Sequence, residues 1–181
     1  MRPNAAYWIR QLQLTSHVEG GAFREVYRSE LKISQKALPV FFQGDRNICT
    51  SIYFLLSGGQ FSAFHRIASD ELWHFYFGDT LLIYEIGHSG ILTVHRLGSN
   101  IEKGESFQVL IRAGSWFAST PAEDSEYALV GCTVSPGFDF AEFELADRVA
   151  LIKQYPQHEA LIENLTRVND PASRPHVPDN K

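Results

Sequence analysis

The sequence has little cysteine. Cys49 and Cys132 are the only two among 181 residues, and no CxxC pair occurs. A zinc knuckle or a dithiol redox centre needs closely spaced cysteines, so both kinds of site are excluded. Each cysteine lies in an apolar, strand-like run, which favours two buried, reduced thiols.

Excess positive charge is missing too. Sixteen Lys and Arg face 21 Asp and Glu, for a net charge of −5, and no dense basic run occurs. Nucleic-acid binding needs a concentrated basic face. We therefore expect no nucleic-acid partner.

Long apolar runs are also absent. No segment approaches the roughly 20 apolar residues that span a bilayer. The N-terminal segment MRPNAAYWIRQLQL has neither the continuous apolar stretch nor the cleavage site of a signal peptide. We expect a cytoplasmic protein that does not bind membranes.

Aromatic residues, in contrast, are plentiful. They make up 13% of the chain and include 13 Phe, beside a single Met. This composition is typical of a β-rich core or an aromatic-lined pocket. The length suits one domain with a sizeable core.

Short apolar runs separated by turn residues dominate the chain. One is AFREVYRSE, in which Phe23, Glu25 and Tyr27 alternate with Arg24, Val26 and Arg28; the others span 48–56, 61–67, 71–77, 80–86, 91–97, 106–112 and 127–134. About eight strands with no helix between them predict a mainly β fold, an antiparallel sandwich or barrel. The mostly even spacing of the turns favours a jelly roll.

Helical patterns flank the strands. Asn4 is a candidate N-cap for a helix over residues 5–14, and two helices are predicted over 143–155 and 157–166, broken at Pro156. The Pro-rich segment 167–181 is predicted to be a disordered tail. Residues 1–166 are therefore predicted to be a single domain.

The stretch GQFSAFHRIASDELWHFYFGD, residues 59–79, carries the strongest motif. The stretch reproduces the first motif of the cupin superfamily, except that Ile67 replaces a second histidine. The order is Gly59, five residues, the triplet 65–67 (His-Arg-Ile), three residues, Glu71, six residues and Gly78. His65 and position 67 share a strand face, and a turn at 68–70 returns Glu71 beside them. Two imidazoles and a carboxylate there would form a three-ligand metal site.

The second cupin motif corresponds best to residues 112–117, RAGSWF, where Phe117 replaces the metal-binding histidine. Two of four expected ligands are therefore hydrocarbons, and we expect no metal or other cofactor. A degenerate, dioxygenase-like metal site from His65 and Glu71 with His74 or His17 stays open. Strand parity places His74 on the face opposite Glu71, unless a bulge intervenes.

Four blocks carry a wider resemblance: HVEGGAFREVYRSE, SIYFLL, FHRIASDELWHFYFGD and LVGCTVSPGFDFAEFEL. Over residues 7–166 the chain resembles the Cupin-5 type family of unknown function. The resemblance implies an RmlC-like jelly-roll β-barrel and a homodimer, and it implies no established reaction. The alternating N-terminal strand is a candidate edge for the dimer contact.

Four residues are candidates for catalysis. His65 could be a general base, or else a hydrogen-bonded core histidine. Glu71 would orient it or shuttle the proton, because an inward carboxylate needs a partner. Tyr53 or Tyr84 could be the acid.

Candidate ligand-binding residues surround these four. Glu19 and Arg24 belong to a segment that is either a pocket mouth or a turn entering the first strand. Arg24, Arg28 and Arg66 could bind a phosphate or carboxylate. Trp73, Phe75 and Trp116 could line an aromatic cavity or simply pack in the core. In the SPGFDFAEFEL segment, Phe138, Phe140 and Phe143 are expected to pack on the exterior or to close one end.

These observations predict a cupin that binds a small molecule. If it is an enzyme, metal-independent isomerase or epimerase chemistry on a sugar or nucleotide-sugar is favoured, by analogy of fold. The alternative is a non-catalytic ligand-binding or sensory module.

Overall fold

The alternating runs of the sequence form antiparallel strands. The computed structural model describes residues 2–167. Its strands are β1 (Thr15–Ser16), β2 (Ala22–Arg28), β3 (Lys32–Ile33), β4 (Arg46–Asn47), β5 (Thr50–Ser57), β6 (Ser62–Arg66), β7 (Asp70–Gly78), β8 (Leu81–Ile86), β9 (Leu92–Leu97), β10 (Gln108–Ile111), β11 (Trp116–Pro121), β12 (Tyr127–Ser135) and β13 (Glu144–Leu145).

Two large sheets enclose the core. One has the order β1-β2-β5-β12-β7-β10 and the other β13-β6-β11-β8-β9, while β3 and β4 form a separate pair. Phe54, Trp73 and Val130 of the first sheet pack with Ile83 and Phe117 of the second. The fold is therefore mainly β and antiparallel, of the jelly-roll type, as the sequence predicts.

Strand β11 is absent from the sequence-based prediction, although it lies between β6 and β8. Ser119 and the closing Pro121 weaken its strand pattern. Ser119 is nevertheless fully buried. Burial between two neighbouring strands outweighs local propensity here.

The helices are shorter than predicted. Helix α1 (Ala5–Gln11) is capped by Asn4, whose side chain accepts from the Tyr7 backbone N–H. It ends early because Gln13 adopts a positive φ of 53°. No helix within residues 2–167 is long and apolar enough to cross a membrane.

At the other end, residues 143–147 are not helical. Glu144–Leu145 pairs with β6 as β13. Helix α2 (Arg148–Gln154) begins only after Asp147, which caps it by accepting from the Ala150 N–H. Helix α3 is Glu159–Asn164. Apart from Arg167, the predicted tail 167–181 lies outside the described residues.

A β-bulge corrects the predicted faces of β2. Glu25 pairs with Ile52 and Tyr27 with Ser51, so that the register shifts across Val26. Arg28 then pairs with Thr50 and shares a face with Glu25, contrary to simple alternation. The extra residue of a bulge causes this change of face.

Candidate functional site

An open cavity of about 790 Å³ lies between the two sheets. Five aromatic side chains form much of its wall: Phe23, Phe54, Trp73, Phe138 and Phe140. Its buried polar side chains include Glu19, His65, Glu71 and Cys132. Glu25, Arg28 and Asp139 line its exposed rim.

His65 projects from β6 with a fixed tautomer. Its Nδ1 lies 2.7 Å from the backbone carbonyl oxygen of Ala63. A carbonyl oxygen only accepts, so Nδ1 carries a proton and, in the neutral ring, Nε2 has the lone pair. Nε2 is therefore the atom of the ring that can accept a proton.

Glu19 is the carboxylate that contacts His65. Its Oε1 lies 3.4 Å from His65 Nε2, and its Oε2 accepts a 2.7 Å hydrogen bond from the Ser62 hydroxyl. A proton taken up by Nε2 would therefore lie close to a carboxylate oxygen, which favours the charged ring. The two residues together form a proton-accepting site.

Burial lowers the pKa of His65, and the negative charge of Glu19 opposes this in part. Desolvation disfavours the charged ring. His65 is therefore neutral near pH 7, in the state that a general base requires.

Glu71 faces the cavity from β7, in the opposite sheet. Burial first, and then the charge of Glu19, raises its pKa to about 8. Cys132 and Trp73 act in the opposite direction and lower the pKa of Glu71 in part. At neutral pH the carboxyl group is thus protonated and can donate a proton or a hydrogen bond.

The HVEGG segment is the turn between β1 and β2, and it also carries Glu19 into the cavity. The backbone N–H of His17 donates to the Gly21 carbonyl oxygen at 3.1 Å. Gly20 has a φ of 118°, and a Cβ there would lie 2.2 Å from the Phe61 carbonyl oxygen. Only glycine fits this position.

The segment after β12 closes one side of the cavity. Phe138 and Phe140 line it, and the Phe143 ring lies 5.6 Å from the ring of His65. Glu142 anchors the segment through an ion pair with the buried Arg46. Of the two placements predicted for these phenylalanines, closure of one end describes the structure.

Comparison with known proteins agrees with this fold. The Cupin_5 sequence model, described as cupin superfamily (DUF985), matches residues 6–146. The chain belongs to this family. No curated protein matches the sequence significantly.

Two solved structures resemble this Cupin_5 protein over nearly its whole length. A hypothetical protein from Leishmania major is 34% identical, with a TM-score of 0.84 over 92% of this chain and 100% of that one. A protein from Shewanella oneidensis is 43% identical, with a TM-score of 0.81 over 93% of this chain and 100% of that one.

A cupin 2 domain-containing protein from Halorhodospira halophila shares only the fold. It is 12% identical, with a TM-score of 0.53 over 86% of this chain and 89% of that one.

The metal that the cupin motifs imply does not fit the residues of this Cupin_5 chain. Ile67 lines the cavity, and Phe117 pairs directly with His65 in the β6–β11 register. Hydrocarbons therefore stand at two of the four ligand positions. Within residues 2–167, no group of three or more His, Cys, Asp or Glu side chains is arranged to hold a metal ion.

His74 lies outside the cavity lining. Its Nε2 is 3.0 Å from the Thr133 hydroxyl, and its Nδ1 is 3.1 Å from the Gln108 amide nitrogen. In the paired register His74 stands beside Gly131, whereas Glu71 stands beside Val134. The strand parity inferred from the sequence agrees with this placement.

The structure brings together only some of the candidate ligand-binding and catalytic residues. His65, Glu71, Glu19 and Trp73 line the cavity, whereas the others do not. Tyr53 packs beside α1, and Tyr84 and Trp116 pack beside α2 and α3. Phe75 packs against the main core.

The two remaining arginines of the predicted site lie elsewhere. Arg24 donates to the Gln13 side chain at 3.4 Å. Arg66 pairs with Glu144 at 2.6 Å and lies over the Trp116 ring, 4.5 Å from its centroid. Neither lines the cavity, whereas Arg28 does, because of the bulge.

Proposed function

We propose that this cupin binds a small sugar-like molecule in the cavity and interconverts isomers of it by metal-independent proton transfer. One observation carries the proposal. A neutral imidazole of fixed tautomer and a buried, protonated carboxyl group line the same open cavity from opposite sheets. Pairs of titratable groups with pKa values pushed apart are typical of acid–base sites.

The reaction needs no outside reagent. His65 Nε2 accepts the proton from the carbon next to the ligand carbonyl, while Glu71 gives its proton to the carbonyl oxygen, which forms an enol. In the second half, the enol O–H returns its proton to Glu71 and His65 returns its proton to the other face of the same carbon, which gives the epimer. For an aldose–ketose pair, the neighbouring hydroxyl of the enediol gives its proton to Glu71 instead, and His65 protonates the former carbonyl carbon. Glu19 Oε1, 3.4 Å from Nε2, stabilises the intermediate imidazolium.

Hydrogen–deuterium exchange tests the proposal without knowledge of the natural substrate. A panel of sugars and nucleotide-sugars is incubated with the protein in D₂O, and deuterium on carbon is measured by mass spectrometry. We expect exchange with wild type, reduced about 10²–10⁴-fold in His65→Ala. His74→Ala is the matched control, since His74 lies on β7 in the other sheet and does not line the cavity.

Unchanged exchange in His65→Ala would sink the assignment of the base. If a ligand binds saturably but gains no deuterium, the protein is not an isomerase for that ligand. The second candidate function, a non-catalytic binding module, would then take its place.

We further propose a homodimer formed through the edge of β2. Strand β1 pairs only with Ala22 and Phe23 of β2. Within residues 2–167, the later residues of β2 therefore have no neighbouring strand on that side. Open edges recruit other strands. Size-exclusion chromatography with light scattering should show twice the chain mass, and a monomer would contradict the proposal.

A further inference from the structure

The charged groups that line the cavity are mostly acidic. Three carboxylates, those of Glu19, Glu25 and Asp139, face one guanidinium, that of Arg28, and two imidazoles, those of His17 and His65. The carboxyl group of Glu71 is protonated at neutral pH and adds no charge. An anionic ligand would meet an unfavourable potential in such a cavity.

Arg28 is not free to hold an anion. It donates to both carboxylate oxygens of Glu25, at 2.9 and 2.7 Å. It also donates to the Asn47 side-chain oxygen at 3.0 Å and the Phe138 carbonyl oxygen at 3.1 Å. Four of its about five N–H donors are thereby occupied, and Glu25 neutralises its charge.

An aromatic wall is also compatible with a bound cation. The faces of Phe23, Phe54, Trp73, Phe138 and Phe140 carry the negative part of the ring quadrupole. Positively charged groups within about 6 Å of such faces are attracted to them.

Trp73 lies beside Glu71 in the cavity wall. It is only 2% exposed and lines the cavity. Among residues 2–167 its indole N–H meets no acceptor of good hydrogen-bond geometry, although it lies near enough to Glu71 to lower the pKa of that carboxyl. Because this nitrogen is closed off from solvent, the ring and not its N–H is available to a bound molecule.

We propose that the cavity takes an amine-bearing small molecule, and not one that carries a phosphate or carboxylate. The inference rests on the proposed function in one respect, that this cavity is the ligand site. The ammonium group lies against the rim carboxylates of Glu25 and Asp139, with the body of the molecule between the aromatic rings. Nucleotide-sugars and sugar phosphates are then excluded as substrates.

Three probes of one shape test the charge preference: benzylamine, benzyl alcohol and benzoate. Their affinities are measured by ligand-detected NMR titration at pH 7.5 and low salt. We expect the order amine, alcohol, benzoate, with about tenfold or more between the first and the last. Benzoate binding as tightly as benzylamine would overturn the proposal, and so would the failure of all three to bind.

Glu25→Gln makes the test sharper, because it releases Arg28. Benzoate affinity should rise and benzylamine affinity should fall in this variant. Glu144→Gln is the matched control, since it frees Arg66 from an ion pair of 2.6 Å that does not line the cavity. Glu144→Gln should leave the order of the three affinities unchanged. An equal change of affinity in both variants would contradict a local role of Glu25.

His65→Ala separates this inference from the proposed reaction. The order of affinities should persist in that variant, whether or not the deuterium exchange experiment finds proton transfer. Loss of the charge preference in His65→Ala would place its origin at the imidazole and overturn the assignment to the rim carboxylates.

Discussion

Phe117 lies directly opposite His65 in the β6–β11 pair, and the centroids of the two rings are 4.0 Å apart. A metal-binding cupin would carry a histidine at this position, according to the second motif. Here the ring packs on the imidazole and buries it. His65 and Glu71 thus remain at their motif positions, while hydrocarbon side chains occupy the other two.

Restoring the two histidines should therefore restore metal binding. We expect the double variant Ile67→His/Phe117→His to bind one Co²⁺ per chain through the two new imidazoles, His65 and Glu71. Isothermal titration calorimetry and the visible absorption of bound Co²⁺ measure this. Each single variant is the control and should bind more weakly than the double variant. A double variant with no gain over wild type would show that the strand frame has drifted from ligand geometry.

Glu71 should make stability depend on pH. Its pKa of about 8 in the folded protein lies above the usual value of 4.5. Between these two values the folded state holds a proton that the unfolded state has released. The contribution of the protonated carboxyl group to the free energy of unfolding is therefore complete below about pH 4.5. It is lost as the pH rises to 8, at about 1.4 kcal/mol per pH unit.

The comparison of wild type with Glu71→Gln isolates this effect, because other titrating groups are common to both proteins. Urea denaturation at pH 5.5, 6.5 and 7.5 should show the free energy of unfolding falling more steeply with pH in wild type. Parallel curves for the two proteins would mean that Glu71 titrates normally.

Glu19 should hold up the pKa of His65. Its negative charge opposes the lowering by burial, so Glu19→Gln should lower the pKa of His65 further. NMR titration of the imidazole C–H resonances measures the shift. Glu25→Gln is the control, since it removes a carboxylate that lines the same cavity without contacting His65. A higher pKa of His65 in Glu19→Gln would contradict the contact.

The buried ion pair of Arg46 and Glu142 should be important for stability. Its side chains are only 6% and 8% exposed, so Glu142→Ala leaves a buried guanidinium without its carboxylate, at a cost of about 3–5 kcal/mol. Glu144→Ala, which removes the partner of the exposed Arg66, should cost less than about 1 kcal/mol. Urea denaturation distinguishes the two, and equal costs would refute the argument from burial.

Strand patterns and motif spacing predicted the fold and placed His65 and Glu71 on the cavity wall. They could not place Tyr53, because the SIYFLL run is apolar on both faces. Helix α1 covers the outer face of that strand, where Tyr53 packs, while Ile52 and Phe54 face the cavity. Apolar cover on both sides removes the alternation from which orientation is inferred.

The contact between Glu19 and His65 was beyond sequence reasoning for another reason. The two residues lie far apart in the chain and meet only because the β1–β2 turn approaches β6, where Gly20 lies against the Phe61 carbonyl. The two glycines of HVEGG were the available signal. Glycine allows a close backbone approach, but the sequence does not identify the segment that is approached.

The bulge at Val26 makes the length of β2 adjustable at one point. Because Val26 is the unpaired extra residue, its deletion leaves Glu25 opposite Ile52, Tyr27 opposite Ser51 and Arg28 opposite Thr50. A deletion elsewhere in the strand shifts every later side chain to the other face. A loss of one residue at this position therefore leaves the charges at the rim of the cavity in place.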